Sequence, residues 1–250
     1  MKQSLAIFGD SFAFTSNMDA GPTWVTYLEN EFTIQNFSKP GSSIYFSYTK
    51  FINQISKVKY DKLIFIVSSV DRLWLGNLFK EHGPYDYLNH IVSASEAIRY
   101  QELIQKNFPD NIIAKNKMLA AANYFKYIQN TEEDELATIT MLSKIKDLRP
   151  DLLLVNAFNQ NADITKIVNH ENSLTNIVEM ENNAMNLSLK DFYGLTDKRP
   201  CHITIENNKI LGTKMSEWLY NGKVNLLLDD FIKPTNKKEF CKLYLPHLYK

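Results

Sequence analysis

Four loops rich in small, polar and ionisable residues each follow a short strand-like run in this sequence. The first loop carries a serine hydroxyl, and the later loops carry glycine, aspartate, arginine and asparagine. In open α/β sheets, ligands bind outside the carboxyl ends of the strands. One reactive crevice is therefore predicted, built from Gly9-Asp10-Ser11-Phe12, Ser38-Lys39-Pro40-Gly41-Ser42, Ser68-Ser69-Val70-Asp71-Arg72 and Asn156-Ala157-Phe158-Asn159.

The elements that would position these loops alternate along the chain. Continuous apolar runs are typical of strands buried on both faces, and the chain has three, at 5–8, 63–67 and 152–155. A mixed run at 32–37 suits an edge strand, and helical patterns at 24–31 and about 42–57 lie between the first three strands. This alternation predicts an α/β class: a doubly wound, flavodoxin-like three-layer sandwich with a mainly parallel sheet.

A different pattern occupies the segment between the third and fourth runs. It predicts helices at 95–107, 112–129 and 132–148, with Thr131 and Asp134 as a capping box, so that one crossover is enlarged at about 76–149. These helices either cap the crevice or form a larger helical layer. Two more helices are predicted, at about 174–187 and 205–220, and Asn221-Gly222 ends the second.

One domain at 1–222 is therefore expected, followed by a C-terminal extension at 223–250. The extension contains an apolar run at 224–228, which is either an extra strand or an interaction segment.

Composition excludes several classes of protein. Lys+Arg and Asp+Glu are 28 each, and this balance argues against a nucleic-acid partner. Cys201 and Cys241 are too few for a disulfide framework or a four-cysteine zinc site. No apolar run has the length of a membrane helix, and the first is too short for a signal-peptide core. We expect a cytoplasmic protein with no membrane partner. We also expect no metal, because the spacing of His82, His90, His170 and His247 does not suit metal ligands.

Three blocks resemble the motifs of the SGNH/GDSL hydrolase superfamily. Gly9-Asp10-Ser11-Phe12 resembles the first block, with Phe12 in place of the usual leucine. The run Asn36-Phe37-Ser38-Lys39-Pro40-Gly41-Ser42-Ser43 resembles the second block. Cys201-His202-Ile203-Thr204 precedes the final helix, as the superfamily's histidine does. Order and spacing agree over about 1–220. The resemblance implies an esterase with an acyl-serine intermediate and no cofactor, acting on an O-acyl group of a carbohydrate or small metabolite.

The resemblance also implies the roles of individual residues. Ser11 would be the nucleophile, and a serine hydroxyl needs a base within hydrogen-bond reach, which His202 would supply. The backbone N–H groups of Ser11 and Gly41 would help to form the oxyanion hole. Glycine at position 41 suits that role, because its backbone can approach a ligand closely.

The family's own third block, a Gly-x-Asn-Asp arrangement, corresponds here to Ser68-Ser69-Val70-Asp71 after the third strand, and the sequence departs from the pattern in this third block. Val70 stands where the family has an asparagine that donates to the oxyanion, and valine has no donor. Ser68, Ser69 or Asn77 is left as a substitute, and we assign Ser69 to the oxyanion hole.

A second departure concerns the acid of the triad. Arg199 stands three residues before His202, where the family has its aspartate. Asp197 is the nearest carboxylate and would reach the ring through a loop that Pro200 stiffens. The alternative is a Ser11–His202 dyad in which a backbone carbonyl orients the ring.

Three residues at the end of the third block and just after it are candidates for substrate binding, namely Asp71, Arg72 and Trp74. Arg72 either pairs with Asp71 or holds an anionic group, and Trp74 either stacks on a sugar ring or packs in the core or cap. Asp10 is expected to hold its own loop by accepting backbone hydrogen bonds. Because two family positions differ, a binding or assembly module on the same fold remains an alternative to the hydrolase. An acyltransferase that uses Ser11 is a third alternative, since the sequence does not separate water from an alcohol acceptor.

Overall fold

The computed structural model describes residues 2–15, 22–76, 78–79, 86–186 and 203–238. Its strands are β1 (Gln3–Phe8), β2 (Phe32–Asn36), β3 (Lys62–Val67), β4 (Leu73–Trp74), β5 (His90–Ile91) and β6 (Leu153–Asn156). Four of them form a parallel sheet in the order β2-β1-β3-β6, and β4 and β5 form a separate antiparallel ribbon. The predicted α/β class is confirmed, and the strand predicted at 32–37 does lie at an edge.

Helices separate and follow the strands along the chain. They are α1 (Trp24–Leu28), α2 (Ile44–Ile55), α3 (Ala94–Asn107), α4 (Ile112–Tyr127), α5 (Thr131–Leu148), α6 (Ala162–Val168), α7 (Leu174–Ala184) and α8 (Ile205–Asn221). Short 3₁₀ turns follow at Asp86–Asn89 and Leu228–Asp230. Across the described ranges, no helix combines the length and the apolar character needed to cross a membrane.

Local sequence explains where the helices begin and end. Ser43 is extended, and its hydroxyl accepts a hydrogen bond from Phe46 N at 3.2 Å, so α2 begins at the next residue. Asn130, not Thr131, caps α5, because its side-chain oxygen accepts from Glu132 N at 3.1 Å. This corrects the capping box expected at Thr131. Gly222 ends α8 in a left-handed conformation, as expected.

Two cores flank the sheet because successive strand residues point to opposite faces. Leu5 and Ile7 of β1 belong to a core that includes buried residues of α1, α7 and α8. Ala6 and Phe8 belong to a second core with buried residues of α2, α5 and α6. Burial on both faces explains why these strands are continuous apolar runs in the sequence.

The enlarged crossover contains a third core. Leu88 and Ile91 pack with Ala97, Tyr100 and Ile104 of α3, and four residues of α4 complete the cluster, namely Ala114, Met118, Ala121 and Ala122. Helix α5 belongs instead to the second core, through Leu142 and Ile145. Only part of the 76–149 segment therefore packs as a unit of its own.

The first residues after α8 also join the main body of the protein. Val224, Leu226 and Phe231 are buried in the first core. Residues 224–227 form neither helix nor strand, and the predicted extra strand is replaced by the turn at Leu228–Asp230. The domain limits at 1–222 and 223–250 stay a prediction, and residues 239–250 lie outside the described ranges.

Glycine at position 9 is required by the close approach of β1 and β3. Its φ is +155°, and a Cβ built there would lie 2.6 Å from the Cβ of Ile66.

We expect Gly9→Ala to lower the free energy of unfolding by about 2–3 kcal/mol, because overpacking adds to backbone strain. Gly222→Ala is the control: φ is +70°, nothing lies within 4 Å, and the cost is about 1 kcal/mol. Urea denaturation measures both. Equal losses would show that the contact with Ile66 is unimportant.

Candidate functional site

The loops after β1 and β2 are joined at the carboxyl edge of the sheet. Gly9 O accepts hydrogen bonds from Lys39 N at 3.0 Å and from Ser42 Oγ at 2.9 Å. Ser42 N in turn donates to Lys39 O at 3.1 Å, which closes a tight turn around Gly41. Gly41 has a φ of +72°, so the turn places glycine in the left-handed region. The loop after β1 therefore lies against the turn that carries Gly41.

Asp10 organises the loop that carries Ser11. It is fully buried, and its Oδ1 accepts from Phe12 N at 3.0 Å, which confirms the expected loop-holding role. The carbonyl of Phe12 accepts from Trp24 Nε1 at 2.6 Å, which ties the same loop to α1. Ser11 is half-buried between two residues whose positions are fixed.

Arg72 connects the loop after β3 to this arrangement. Its Nη1 lies 3.1 Å from Asp10 Oδ2, 3.2 Å from Ser42 O and 3.2 Å from Ser68 Oγ. The ion pair of Arg72 is thus with Asp10, and the alternative pairing with Asp71 is wrong: Asp71 is exposed. The guanidinium carbon also lies 4.6 Å from the ring centre of Phe158, in the loop after β6.

The remaining candidates for the oxyanion hole, in and just after the third block, have different surroundings. Ser68 is fully buried, and its Oγ lies 2.6 Å from Ser42 O, so its proton is used within the network. Val70 packs against the second core, Ser69 is half-buried, and Asn77 lies outside the described residues. The assignment of Ser69 to the oxyanion hole stays a prediction.

Trp74 packs on the first turn of α2. Its ring centre is 5.5 Å from that of Phe46 and 5.9 Å from that of Tyr45. The ring of Tyr45 is 56 % exposed. Substrate binding by Asp71, Arg72 and Trp74 stays a prediction, and packing of Trp74 is the part that the structure describes.

His202 and Asp197 lie outside the described residues, as does Cys201. The next described residue is Ile203, which is buried in the first core. Ile203 O accepts from Asn208 Nδ2 at 2.6 Å, and Asn208 Oδ1 accepts from Trp24 N at 2.9 Å. Through Trp24, hydrogen bonds lead from the residue after His202 to Phe12, the residue after Ser11.

Glu181 was not identified from the sequence. It is 1 % exposed, and its Oε1 accepts from Thr204 N at 3.1 Å, Thr204 Oγ1 at 2.6 Å and Asn207 Nδ2 at 2.7 Å. Burial raises the pKa of Glu181 to about 7, although the bonds from Thr204 and Asn207 act in the opposite direction. A sequence signal exists: Leu174, Ile177, Val178 and Glu181 follow the spacing of one buried helix face.

Histidines and acids do not suggest a metal centre in the parts of the chain that the structure describes. No three His, Cys, Asp or Glu side chains come together there. His170 Nδ1 lies 2.7 Å from Asn172 O, and its Nε2 accepts from Asn156 N at 3.4 Å. Burial lowers the pKa of His170, which favours the neutral ring that these two contacts require. His170 therefore packs in the loop after α6, against the last residue of β6.

Stability should depend on pH through Glu181. Its pKa is about 7 in the folded chain and 4.5 when unperturbed, so folding favours the protonated form, and its contribution to stability is lost as pH rises from about 4.5 through 7. Glu181→Gln cannot ionise. We expect the free energy of unfolding of Glu181→Gln, relative to that of the native protein, to rise by up to about 3 kcal/mol between pH 4.5 and 8.

Exposed Glu179 on the same helix provides the control, because Glu179→Gln should leave the pH profile of stability unchanged. Urea denaturation at a series of pH values gives both profiles. Parallel profiles for the native protein and Glu181→Gln would contradict a raised pKa of Glu181 in the folded protein.

Comparison with models of known protein families finds no match to this chain, and comparison with curated proteins finds none either. Membership of the SGNH/GDSL superfamily therefore stays a prediction that rests on the blocks at 9–12, 36–43 and 201–204.

Proposed function

We propose that the chain is a serine hydrolase of the SGNH type that cleaves an ester through an acyl-serine intermediate. The observation that carries this proposal is the junction of the Ser11 and Gly41 loops at Gly9 O, with bonds of 2.9 and 3.0 Å. β1 lies between β2 and β3, so this junction is next to the point where strand order reverses. Crevices at such points are the usual ligand sites of open α/β sheets.

The proposed reaction uses the residues that the sequence singled out. Ser11 Oγ attacks the ester carbonyl while His202 takes the serine proton and then delivers it to the leaving alcohol. The N–H groups of Ser11 and Gly41, together with Ser69, hold the oxyanion. In the second half of the reaction, His202 takes a proton from water, which attacks the acyl carbon, and returns that proton to Ser11 Oγ as the carboxylic acid is released. Asp197 orients His202, or the two residues Ser11 and His202 act as a dyad.

The hydrogen-bond chain at the start of α8 supports the role of His202. Ile203, Asn208 and Trp24 connect the residue after His202 to Phe12. This connection supports a role for the histidine that precedes Ile203 in the chain. The two cores that flank the sheet support the doubly wound three-layer form of the fold.

An O-acyl group on a carbohydrate or small metabolite is the proposed substrate class. Tyr45 lies four residues after Gly41 and presents a largely exposed ring beside Trp74. Exposed aromatic rings near a reactive centre suit stacking against a sugar. A cytoplasmic location, the absence of a cofactor, and no nucleic-acid or membrane partner belong to the same proposal.

One observation favours a second candidate. Val70 packs against the second core, so the position of the family's asparagine is filled by an apolar side chain. Loss of one oxyanion donor costs about 10²–10³ in rate where it has been measured. A binding or assembly module with weak catalysis would tolerate that loss. An acyltransferase would use the same serine with an alcohol in place of water.

Labelling by a fluorophosphonate probe tests the nucleophile. We expect the native protein to react, because an activated serine attacks phosphorus as it attacks a carbonyl. Ser11→Ala should not react, and its hydrolysis of p-nitrophenyl acetate should fall by at least about 10⁴-fold. Labelling is read on a gel and hydrolysis by absorbance.

Ser56→Ala is the matched control, because Ser56 is exposed at the end of α2 and should leave labelling intact. Identical behaviour of the native protein and Ser11→Ala would overturn the hydrolase and favour the binding module.

A further inference from the structure

The guanidinium of Arg72 uses only part of its hydrogen-bonding capacity. A guanidinium has five N–H groups, two of them on Nη1. Nη1 donates to Asp10, Ser42 O and Ser68. Among the residues that the structure describes, the Nε–H and the two N–H groups of Nη2 have no acceptor. Three N–H donors of Arg72 are therefore available to a ligand, and its side chain is 12 % exposed.

The position of Arg72 is close to both loops of the proposed site. Its Nη1 lies 3.1 Å from Asp10, the residue before Ser11, and 3.2 Å from the carbonyl of Ser42, the residue after Gly41. Consecutive Cα atoms are about 3.8 Å apart, so the guanidinium is a near neighbour of both backbone segments.

The group is also rigid before any ligand arrives. The ion pair with Asp10 holds the Nη1 end of the guanidinium, and its carbon lies over the ring of Phe158, 4.6 Å from the ring centre. Donors that are already oriented stabilise a developing charge without reorganisation in the transition state.

We propose that Arg72 donates an Nε–H or Nη2–H hydrogen bond to the oxyanion and so adds, beside Ser69, the strong donor that the family's asparagine supplies and Val70 lacks. This inference rests on the proposed hydrolase. Arg72 keeps its proton throughout, because a guanidinium does not deprotonate in proteins. In the resting site its charge is balanced by Asp10. When the carbonyl oxygen becomes negative, the same guanidinium gains a second anionic partner.

Steady-state hydrolysis of p-nitrophenyl acetate by Arg72→Ala tests the role. We expect kcat to fall about 10²–10³-fold while KM stays within about threefold, because the lost bond forms only in the transition state. Guanidinium chloride, added below the concentration that unfolds the variant, should restore part of kcat. Urea at the same concentration, which has a similar shape and no charge, should not.

A second variant guards against failure to fold, since Arg72→Ala leaves Asp10 buried without its cation. Arg72→Lys keeps that charge but loses the planar set of donors, so its kcat should also fall with little change in KM. Gln160→Ala is the control for loop position: Gln160 Nε2 donates to Ser68 O at 3.1 Å and is not part of the proposed site. It should keep kcat within about threefold of the native value.

The kinetic outcomes distinguish oxyanion binding by Arg72 from other roles of this residue. A rise in KM with unchanged kcat would show that Arg72 binds a ground-state group of the substrate, and it would overturn the inference. A loss in Gln160→Ala as large as that in Arg72→Lys would assign the effect to loop position, with the same consequence. Full activity in the Arg72 variants overturns this inference alone, whereas native protein that hydrolyses no ester overturns the hydrolase as well.

Discussion

The buried carboxylate of Asp10 constrains the whole carboxyl edge of the sheet. A charge removed from water costs several kcal/mol unless it is paired and hydrogen-bonded. Asp10 meets this need with Arg72 at 3.1 Å and Phe12 N at 3.0 Å. Because Arg72 also reaches Ser42 O and packs on Phe158, one ion pair fixes the loops after β1, β2, β3 and β6 relative to one another.

The backbone at Gly9 makes this arrangement possible. Any side chain there would meet Ile66, so glycine lets β1 and β3 lie close enough for their loops to share Asp10 and Arg72. The carbonyl of Gly9 then binds the loop after β2, through Lys39 N and Ser42 Oγ. A single residue without a side chain therefore sets the spacing on both sides of the central strand.

Much of the sheet could be predicted because buried parallel strands are continuous apolar runs, as in β3 and β6. The β4–β5 ribbon could not, since two residues per strand carry no periodicity. Helix α6 has seven residues in a polar stretch, which is too short for a clear amphipathic pattern. The Asp10–Arg72 pair joins residues that are 62 positions apart, and no local pattern selects one such pairing over the neighbouring Asp71.

Two buried carboxylates in this fold are stabilised in different ways. Asp10 has a charged guanidinium partner, Arg72. Among the described residues, the hydrogen-bond partners of Glu181 are the neutral donors of Thr204 and Asn207, at the start of α8, where the helix dipole adds partial positive charge.

Burial raises the pKa of Glu181 to about 7, because desolvation outweighs those neutral donors. The strand ends are thus joined by an ion pair between two side chains. The first turn of α8, which directly follows the histidine block, is held by a carboxyl group whose ionisation near neutrality weakens the fold.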